Sequence, residues 1–384
     1  MDRLRAKYNS MSVETKAALW FAMCNFINKG IAMIVVPLYT RMLTTEEYGM
    51  YTVFQSWLNI FIIIATLEIS RGHYKVGITK YDEDVDNYTI SVLGLSNIVT
   101  ILFIVIYLCA IPVFNNLLEM PTYLVLSMFG YLLVYPAWEF WTIQQRFAYK
   151  YKTMVAATLA VAILSPVIGV AGIYLLNMQS DAAIFSKLLI QGVFALCIYV
   201  AFFRKSHTLF NKAYWKEAFI FNITLVPYLL STSILNQADR IMINSMVGAA
   251  EAAIYSVAYS VAMLMQLLNN AVSDAFIPWM YRRLKAKEYK VIEPVTNKLL
   301  ILVAGTNIAP EVIAIFAPAR YSDAIWVIPP VAASVFFMFL FQRYINVEVY
   351  YGATTSVSST SILVAVLNIG LNYVCIKQWG YLAA

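Results

Sequence analysis

Residues 89–113 read TISVLGLSNIVTILFIVIYLCAIPV and carry no charged side chain. A helix needs about 20 such residues to cross the hydrocarbon core of a bilayer, so this stretch predicts a transmembrane helix. Similar runs recur along the whole chain, at residues 17–38, 51–68, 89–113, 121–141, 153–176, 182–203, 218–237, 252–273, 297–317, 324–342 and 357–376. We therefore predict an all-α, polytopic membrane protein with about 11 transmembrane helices.

The composition agrees with this class. Of the 384 residues, 61% are hydrophobic and only 12% are charged, and the mean hydropathy is +0.70. Soluble domains carry about 25% charged residues, so a water-soluble enzyme is excluded. The four cysteines all fall in predicted spans and lack the spacing of metal ligands. We predict no catalytic residue, no metal site and no cofactor.

The basic residues indicate the orientation of the chain. If the N-terminus lies in the cytoplasm, 21 of the 27 Lys and Arg residues fall on the cytoplasmic side of the predicted spans. Cytoplasmic loops of membrane proteins carry such an excess, so we predict a cytoplasmic N-terminus. The net charge of +6 then reflects topology and contact with anionic lipid headgroups, and nucleic acid is excluded as a partner.

A weak internal repeat connects the two halves of the chain at an offset of 204 residues. The aligned pairs are Met42 with Met246, Glu47 with Glu251, Tyr51 with Tyr255, Val53 with Val257, and Ser56 with Ser260. Parallel repeats of this kind are typical of transporter halves, although apolar sequences also align by chance. We predict an N-lobe at residues 1–205 and a C-lobe at residues 206–384.

Polar side chains at membrane depth are costly, so those that share a helix face are candidate cavity residues. The candidates for substrate binding are Asn25, Lys29, Arg71, Asn236, Arg240, Gln266, Asn270 and Asp274. Hydrogen bonding between packed helices is the alternative for the amides, and interfacial anchoring is the alternative for Arg71 and Arg240. Lys187 is set aside because it can reach the outer interface.

The predicted external turn between the first two spans has a local signature. Thr44 precedes Glu47 by three residues, which is the spacing of a capping box and predicts the start of the second helix. Tyr48 and Tyr51 follow at a depth where aromatic residues are enriched. The turn therefore predicts a well-formed helical hairpin, and this hairpin does not exclude a functional role.

This turn is also the most specific motif in the chain. Residues 36–51 read VPLYTRMLTTEEYGMY and resemble the N-terminal signature of bacterial polysaccharide flippases. These are the Wzx-type branch of the multidrug/oligosaccharidyl-lipid/polysaccharide, or MATE-like, superfamily. Residues 238–241, 255–259 and 309–311 extend the resemblance. The signature positions are Pro37, Arg41, Glu47, Tyr48 and Gly49.

The resemblance implies a bundle of twelve or fourteen helices in two lobes, which moves undecaprenyl-diphosphate-linked oligosaccharide across the bacterial cytoplasmic (inner) membrane by alternating access. Such a flippase serves the synthesis of lipopolysaccharide O-antigen, capsule or exopolysaccharide, with membrane lipids and the polysaccharide polymerase machinery as further partners. The coupling ion, H⁺ or Na⁺, stays open. Residues 377–384 resemble the turn before helix twelve, so we expect a truncated chain that lacks this helix.

Two other functions remain open at this level. A cation-coupled multidrug antiporter on the same fold would need a buried carboxylate, for which Asp274 or Glu311 could serve. A membrane polysaccharide polymerase or glycosyltransferase would be an enzyme, and it normally needs a large external loop. The predicted spans leave no such loop, so we expect a transporter rather than an enzyme.

Overall fold

The computed structural model describes residues 10–288, 290–291, 294–298, 318–350 and 354–384. These residues are mostly helical and contain no strand, which confirms the predicted all-α class. The helices are α1 (Val13–Met42), α2 (Thr45–Thr66), α3 (His73–Lys80), α4 (Val85–Cys109), α5 (Ile111–Leu118), α6 (Thr122–Phe147), α7 (Tyr151–Leu176), α8 (Gln179–Lys205), α9 (Lys212–Met246), α10 (Ala249–Lys285), α11 (Ala324–Tyr350) and α12 (Thr354–Trp379).

Eight helical segments among the described residues are long and apolar enough to cross a membrane. They comprise α1, α2, α4, α6, α7, α8, α9 and a segment at residues 359–383, so the protein is a multi-pass membrane protein. The predicted spans at residues 252–273 and 324–342 lie within α10 and α11. The predicted span at residues 297–317 lies almost entirely outside the described residues. The cytoplasmic N-terminus stays a prediction.

The predicted end of the third span is wrong. That span was expected to reach residue 113, but α4 ends at Cys109 and α5 begins at Ile111. Ala110 leaves the helical conformation with φ of −140°, and Pro112 lies in the first turn of α5. Pro112 has no N–H group to donate to the carbonyl four residues earlier, so a helix begins here more easily than it continues. Proline does not by itself end a helix in this protein, because Pro136 and Pro166 lie inside α6 and α7.

The exposed face of α7 is apolar, as lipid contact requires. In α7 only Met154, Val155 and Gly169 are buried, whereas Val167 is 57% exposed and Leu175 is 72% exposed. Water would oppose the exposure of so many apolar side chains, but hydrocarbon tails would not. The exposed face of α7 therefore fits a lipid environment.

The chain forms two compact units. Unit 1 comprises residues 1–35 and 54–233, and unit 2 comprises residues 36–53 and 234–384. Helices α1 and α2 contribute to both units, because the tip of their hairpin at residues 36–53 belongs to unit 2. The lobes predicted at residues 1–205 and 206–384 stay a prediction.

The short helix α3 is anchored within unit 1 by polar and aromatic contacts. His73 is buried, and its Nδ1 lies 2.8 Å from the Tyr88 hydroxyl, while Tyr74 stacks on Phe140 with ring centroids 4.0 Å apart. Lys80 pairs with Glu217 at 2.8 Å. Burial lowers the pKa of His73, which favours the neutral ring. These contacts connect α3 to α4, α6 and α9.

The signature hairpin has the local structure that its sequence predicts. The Thr44 N–H donates to Glu47 Oε2 at 2.9 Å, and the Glu47 N–H donates to Thr44 Oγ1 at 3.2 Å. This is a complete capping box at the start of α2. The interpretation of the turn as a well-capped hairpin is therefore confirmed.

The helix boundaries at this hairpin recur in the second half. Helix α1 ends at Met42 and α9 ends at Met246, while α2 begins at Thr45 and α10 begins at Ala249. Both pairs of boundaries are separated by the repeat offset of 204 residues. The matching backbone supports an internal repeat over a chance alignment of apolar residues.

Gly49 lies where unit 2 leaves no room for a side chain. A Cβ atom at this position would lie 1.8 Å from the backbone carbonyl oxygen of Ala249. A backbone atom cannot rotate away from such a clash, so the close approach of α2 and α10 requires glycine here.

We predict that Gly49→Ala lowers the thermal stability of the detergent-solubilised protein, because the added methyl group forces α2 away from Ala249. Gly130→Ala is the matched control, since a Cβ at Gly130 in α6 meets nothing within 4 Å. The control is expected to be neutral or to stabilise by up to about 1 kcal/mol, as alanine favours helix over glycine. Both variants are heated to a series of temperatures, and size-exclusion chromatography then measures the fraction of protein that remains folded. Equal midpoint temperatures for the two variants would contradict the prediction.

Candidate functional site

Unit 2 contains a cluster of polar side chains on α9, α10 and α12. The carboxylate of Asp239 is buried and accepts two hydrogen bonds, from the Tyr255 hydroxyl at 2.5 Å and from Asn372 Nδ2 at 2.6 Å. Tyr255 comes from α10 and Asn372 from α12. A buried carboxylate needs such donors, so Asp239 connects three helices of unit 2.

Arg240 makes different contacts from its neighbour. It donates from Nη1 to Gln237 Oε1 at 2.9 Å, and its guanidinium carbon lies 4.2 Å from the centre of the Tyr259 ring. Its Nε is buried and meets no acceptor among the described residues. Asp239 and Arg240 thus form hydrogen bonds to different partners, since consecutive helix residues do not face each other.

Asn236 belongs to the same cluster. Its Oδ1 accepts a hydrogen bond from the Tyr259 hydroxyl at 3.0 Å. Tyr259 therefore contacts both Asn236 and Arg240, and it holds two of the predicted cavity residues on one face of α9. The alternative that Asn236 connects packed helices is supported, and this contact leaves the guanidinium of Arg240 available for another acceptor.

In unit 1, a lysine of one membrane helix is hydrogen-bonded to a glutamine of another. Lys187 Nζ of α8 donates to Gln55 Oε1 of α2 at 2.6 Å. Gln55 Nε2 is buried and has no acceptor among the described residues. Lys187 lies eight residues after the start of α8, or about 12 Å along the helix axis. A side chain bonded to Gln55 does not extend to the outer interface, so setting Lys187 aside as a snorkelling residue was wrong.

Arg71 lies beyond the end of α2 and is paired. Its Nε lies 2.5 Å from Glu68 Oε1, and the arginine side chain is 66% exposed whereas that of Glu68 is 4% exposed. Arg71 therefore presents its remaining donors outside the protein interior. Its role in substrate binding stays a prediction.

The other predicted site residues are not brought into either cluster. Asn25 and Lys29 are exposed on α1. The side chains of Gln266, Asn270 and Asp274 lie outside the described part of the chain, and so does Glu311. The binding roles of these residues stay predictions.

The signature residues form a structural cluster in unit 2. Arg41 donates from Nη1 to the Pro37 carbonyl at 3.3 Å, and Tyr48 packs edge-on against the buried ring of Tyr321. Arg320 donates to the carbonyl oxygens of Thr40 and Leu43 at 2.6 and 2.5 Å. A cation at a helix C-terminus satisfies carbonyls that the helix leaves unpaired, so Arg320 caps α1.

The family described as polysaccharide biosynthesis protein matches residues 15–283. The chain belongs to this family. The match covers the signature hairpin and both polar clusters except Asn372, and it agrees with the resemblance recognised in the sequence.

Two solved structures of other proteins are similar to this chain in fold. A multidrug resistance MATE family transporter of the MOP superfamily, in an inward-facing conformation, has a TM-score of 0.65 and 14% identity, covering 96% of this chain and 92% of that one. A MOP superfamily transporter from Pyrococcus furiosus has a TM-score of 0.55 and 17% identity, covering 96% and 90%. No curated protein matches the chain. The fold is therefore that of MOP superfamily transporters.

The next question is whether the described residues could hold a metal ion. No group of three or more His, Cys, Asp or Glu side chains lies close enough to hold a metal ion in this part of the chain. The acidic run Asp82–Asp84 forms a 3₁₀ turn, in which Asp84 accepts the Tyr214 hydroxyl at 2.6 Å. The Asp84 carboxylate is therefore used in structural contacts, since Asn87 also donates to it at 2.6 Å.

Sequence reasoning missed three residues of these clusters: Lys187, Arg320 and Asn372. Only Lys187 carried a usable signal, because a lysine eight residues inside a span has to find a partner or reach an interface. Arg320 bonds Leu43, which lies 277 residues earlier in the sequence, and Asn372 bonds Asp239, which lies 133 residues earlier. No local pattern indicates such pairs.

We predict that Tyr255→Phe destabilises the protein by about 1.5–3 kcal/mol, the usual loss for a hydrogen bond to a charged group. The change removes one of the two donors to the buried Asp239 carboxylate. Thermal unfolding in detergent gives the measurement. Tyr174→Phe is the matched control, because Tyr174 is 79% exposed on α7.

The double variant Tyr255→Phe, Asp239→Asn tests the cause. A buried amide that lacks a hydrogen-bond donor destabilises a protein less than a buried carboxylate that lacks one. Tyr255→Phe should therefore lower the free energy of unfolding by less in the Asp239→Asn background than in the wild-type background. Equal costs in both backgrounds would show that the hydroxyl does not act through Asp239.

Proposed function

We propose that this protein is a flippase that moves undecaprenyl-diphosphate-linked oligosaccharide repeat units across the bacterial cytoplasmic membrane. The transported unit would serve the synthesis of O-antigen, capsule or exopolysaccharide. Membership of the polysaccharide biosynthesis family and the MOP transporter fold support a transporter in this type of pathway. The identity of the lipid-linked substrate is what the family resemblance implies, and the buried cations fit its diphosphate group.

The contact between Lys187 and Gln55 carries the proposal. An ammonium group has three donors, and the described residues give Lys187 one acceptor, Gln55 Oε1 at 2.6 Å. The neighbouring Gln55 Nε2 is a buried donor without an acceptor among the described residues. Two adjacent donor groups at membrane depth fit a ligand that supplies several anionic oxygens.

A diphosphate is a ligand of that kind. It cannot enter hydrocarbon unless charge-assisted hydrogen bonds replace its hydration, and Lys187 with Gln55 can provide such bonds. Unit 2 has a cation of its own, Arg240, whose Nε also lacks an acceptor in the described part of the chain. Amide and phenol groups such as those of Asn236 and Tyr259 suit sugar hydroxyls.

The membrane potential favours export of such a substrate. A potential that is negative inside drives an anion outward, by about 2.3 kcal/mol per charge per 100 mV for the part of the field that it crosses. The protein therefore has to provide a polar path rather than perform covalent chemistry. No catalytic residue is needed for this function.

The two alternatives receive less support. The family match concerns polysaccharide biosynthesis and does not favour a multidrug antiporter, although solved MATE structures share the fold. A polymerase or glycosyltransferase would need catalytic groups, and the family and the fold are those of transporters. The partnership with polysaccharide polymerase machinery belongs to the same proposal as the flippase function.

We predict that Lys187→Met lowers polysaccharide export by about tenfold or more, because lost charge-assisted bonds of at least about 1.4 kcal/mol correspond to a tenfold effect. Methionine keeps the length of the side chain and removes the charge. Complementation of a strain that lacks its own flippase measures surface polysaccharide, and extraction of inner-leaflet lipid-linked precursors measures the block. Lys187→Arg is expected to retain more export than Lys187→Met, since it retains the charge.

Lys205→Met is the matched control on the same helix. Lys205 ends α8 and is 58% exposed beside Asp86, so its loss is expected to leave export unchanged. Wild-type export by Lys187→Met would refute the role of the buried cation. Drug resistance conferred by the wild-type protein, without any effect on surface glycan, would support the antiporter instead.

A further inference from the structure

Unit 1 contains a second buried charge, which the polar clusters described above do not use. Glu68 lies in the turn between α2 and α3, two residues after the last residue of α2. Its side chain is only 4% exposed. Leu67 and Glu68 both have positive φ, 53° and 37°, which is uncommon for residues other than glycine. The backbone thus adopts an unfavourable conformation that directs a carboxylate into the protein.

Hydrogen bonds from α4 hold this turn in place. Thr100 Oγ1 donates to the Ala65 carbonyl at 2.8 Å, and Ser96 Oγ donates to the Thr66 carbonyl at 3.3 Å. These are the last carbonyls of α2, which have no partner within their own helix. Both hydroxyl groups are buried, so the position of Glu68 relative to α4 is well defined.

One oxygen of Glu68 is paired and the other is not. Oε1 lies 2.5 Å from Arg71 Nε, whereas Oε2 is buried and meets no donor among the described residues. A carboxylate oxygen in the interior normally accepts a hydrogen bond. The unpaired Oε2 is therefore an acceptor site that the described protein leaves unfilled.

Glu139 of α6 lies close enough for its charge to act on Glu68. The Tyr135 hydroxyl, one helical turn earlier, also interacts with Glu139. Two carboxylates that interact in the protein interior repel each other when both are ionised, and a single proton relieves the repulsion. Gln144 of the same helix is already engaged with Tyr74 and Thr89.

The charged and titratable groups that act on the two carboxylates are Arg71, Lys75, Arg146 and Tyr135. Burial raises the pKa of Glu68, Arg71 and Lys75 lower it and the charge of Glu139 raises it, and together these effects place the pKa at about 7. The side chain of Arg71 is 66% exposed, so it connects the buried Glu68 to the surface. Glu68 is thus placed to exchange a proton at a pH near neutrality.

We propose that Glu68 and Glu139 form a proton-binding site in unit 1, which takes up one proton and couples its exchange to transport. The coupling rests on the proposed flippase function, whereas the proton site does not. Protonation at Glu68 Oε2 removes the repulsion from Glu139 and weakens the ion pair with Arg71. The turn that connects α2 to α3 is then held by one contact fewer, which gives the proton a direct effect on the backbone between two helices.

The proton site can be tested in the purified protein without any substrate. Dicyclohexylcarbodiimide reacts with protonated carboxyl groups in apolar surroundings, and mass spectrometry of the peptide that contains Glu68 reports its modification. We expect labelling of Glu68 to fall about tenfold between pH 6 and pH 8, as a single group with a midpoint near 7 requires. Asp86, whose side chain is 49% exposed, is the control carboxylate and should stay unlabelled at both pH values.

Two variants move the midpoint in opposite directions. Glu139→Gln removes the repulsive charge and should lower the midpoint of Glu68 labelling, whereas Arg71→Gln removes the attractive charge and should raise it. These variants keep Glu68 and test the site even if Glu68→Gln fails to fold. Labelling that does not change between pH 5 and pH 9 overturns the proposal. Protection of Glu68 by Na⁺ but not by K⁺ at constant pH overturns it in favour of a sodium site.

Coupling is tested by export in the flippase-deficient strain. Glu68→Gln, which mimics the protonated state, should reduce surface polysaccharide at least tenfold while the protein still reaches the membrane. Wild-type export by this variant overturns the coupling. If the wild-type protein itself exports no glycan, the proposed function fails and the coupling fails with it, yet pH-dependent labelling of Glu68 would still support the proton site.

Discussion

The structure depends on one constraint: inside a bilayer, polar groups must find partners within the protein. Helices satisfy their own backbone, and the hydroxyl side chains follow the same rule. Ser256 and Ser260 donate to carbonyls four residues earlier in α10, and Thr100 fills a carbonyl at the end of α2. Arg320 does so for α1 over a long sequence distance. Most polar groups in the described helices therefore serve the fold, and only the exceptions point to a function.

Local patterns in the sequence were sufficient for the class, most spans and the signature hairpin. A long apolar run predicts a membrane helix because hydrocarbon thickness sets its length, and Thr44 with Glu47 predicts a helix start because both bonds are made within four residues. The failure at Ala110 has a similar local origin: Pro112 interrupts an apolar run whose hydropathy gives no sign of a break. Hydropathy measures the preference of side chains for lipid or water, whereas proline affects the hydrogen bonds of the backbone.

The candidate site was less accessible from sequence. Helical phase grouped Asn236 with Arg240 correctly, since residues three or four positions apart share a face. It could not show that Tyr259 holds both of them, or that Lys187 bonds Gln55 across 132 residues of sequence. Such pairs depend on which helices pack together, and a single sequence with apolar surfaces on most sides of its helices carries little information about that choice.

The unpaired atoms separate structural from functional polar groups. Eight buried side-chain atoms lack a partner among the described residues. Most of them belong to hydroxyl groups or to an amide oxygen, and leaving one unpaired costs a small part of the desolvation energy of a charge. Gln55 Nε2, Glu68 Oε2 and Arg240 Nε differ, because each belongs to an ionised group or lies beside one. A charge that is incompletely paired in the protein interior is stable only if a ligand, a proton or water completes it. The two donor sites then call for an anion and the acceptor site for a cation, which are the two species that an ion-coupled exporter of a diphosphate lipid has to bind.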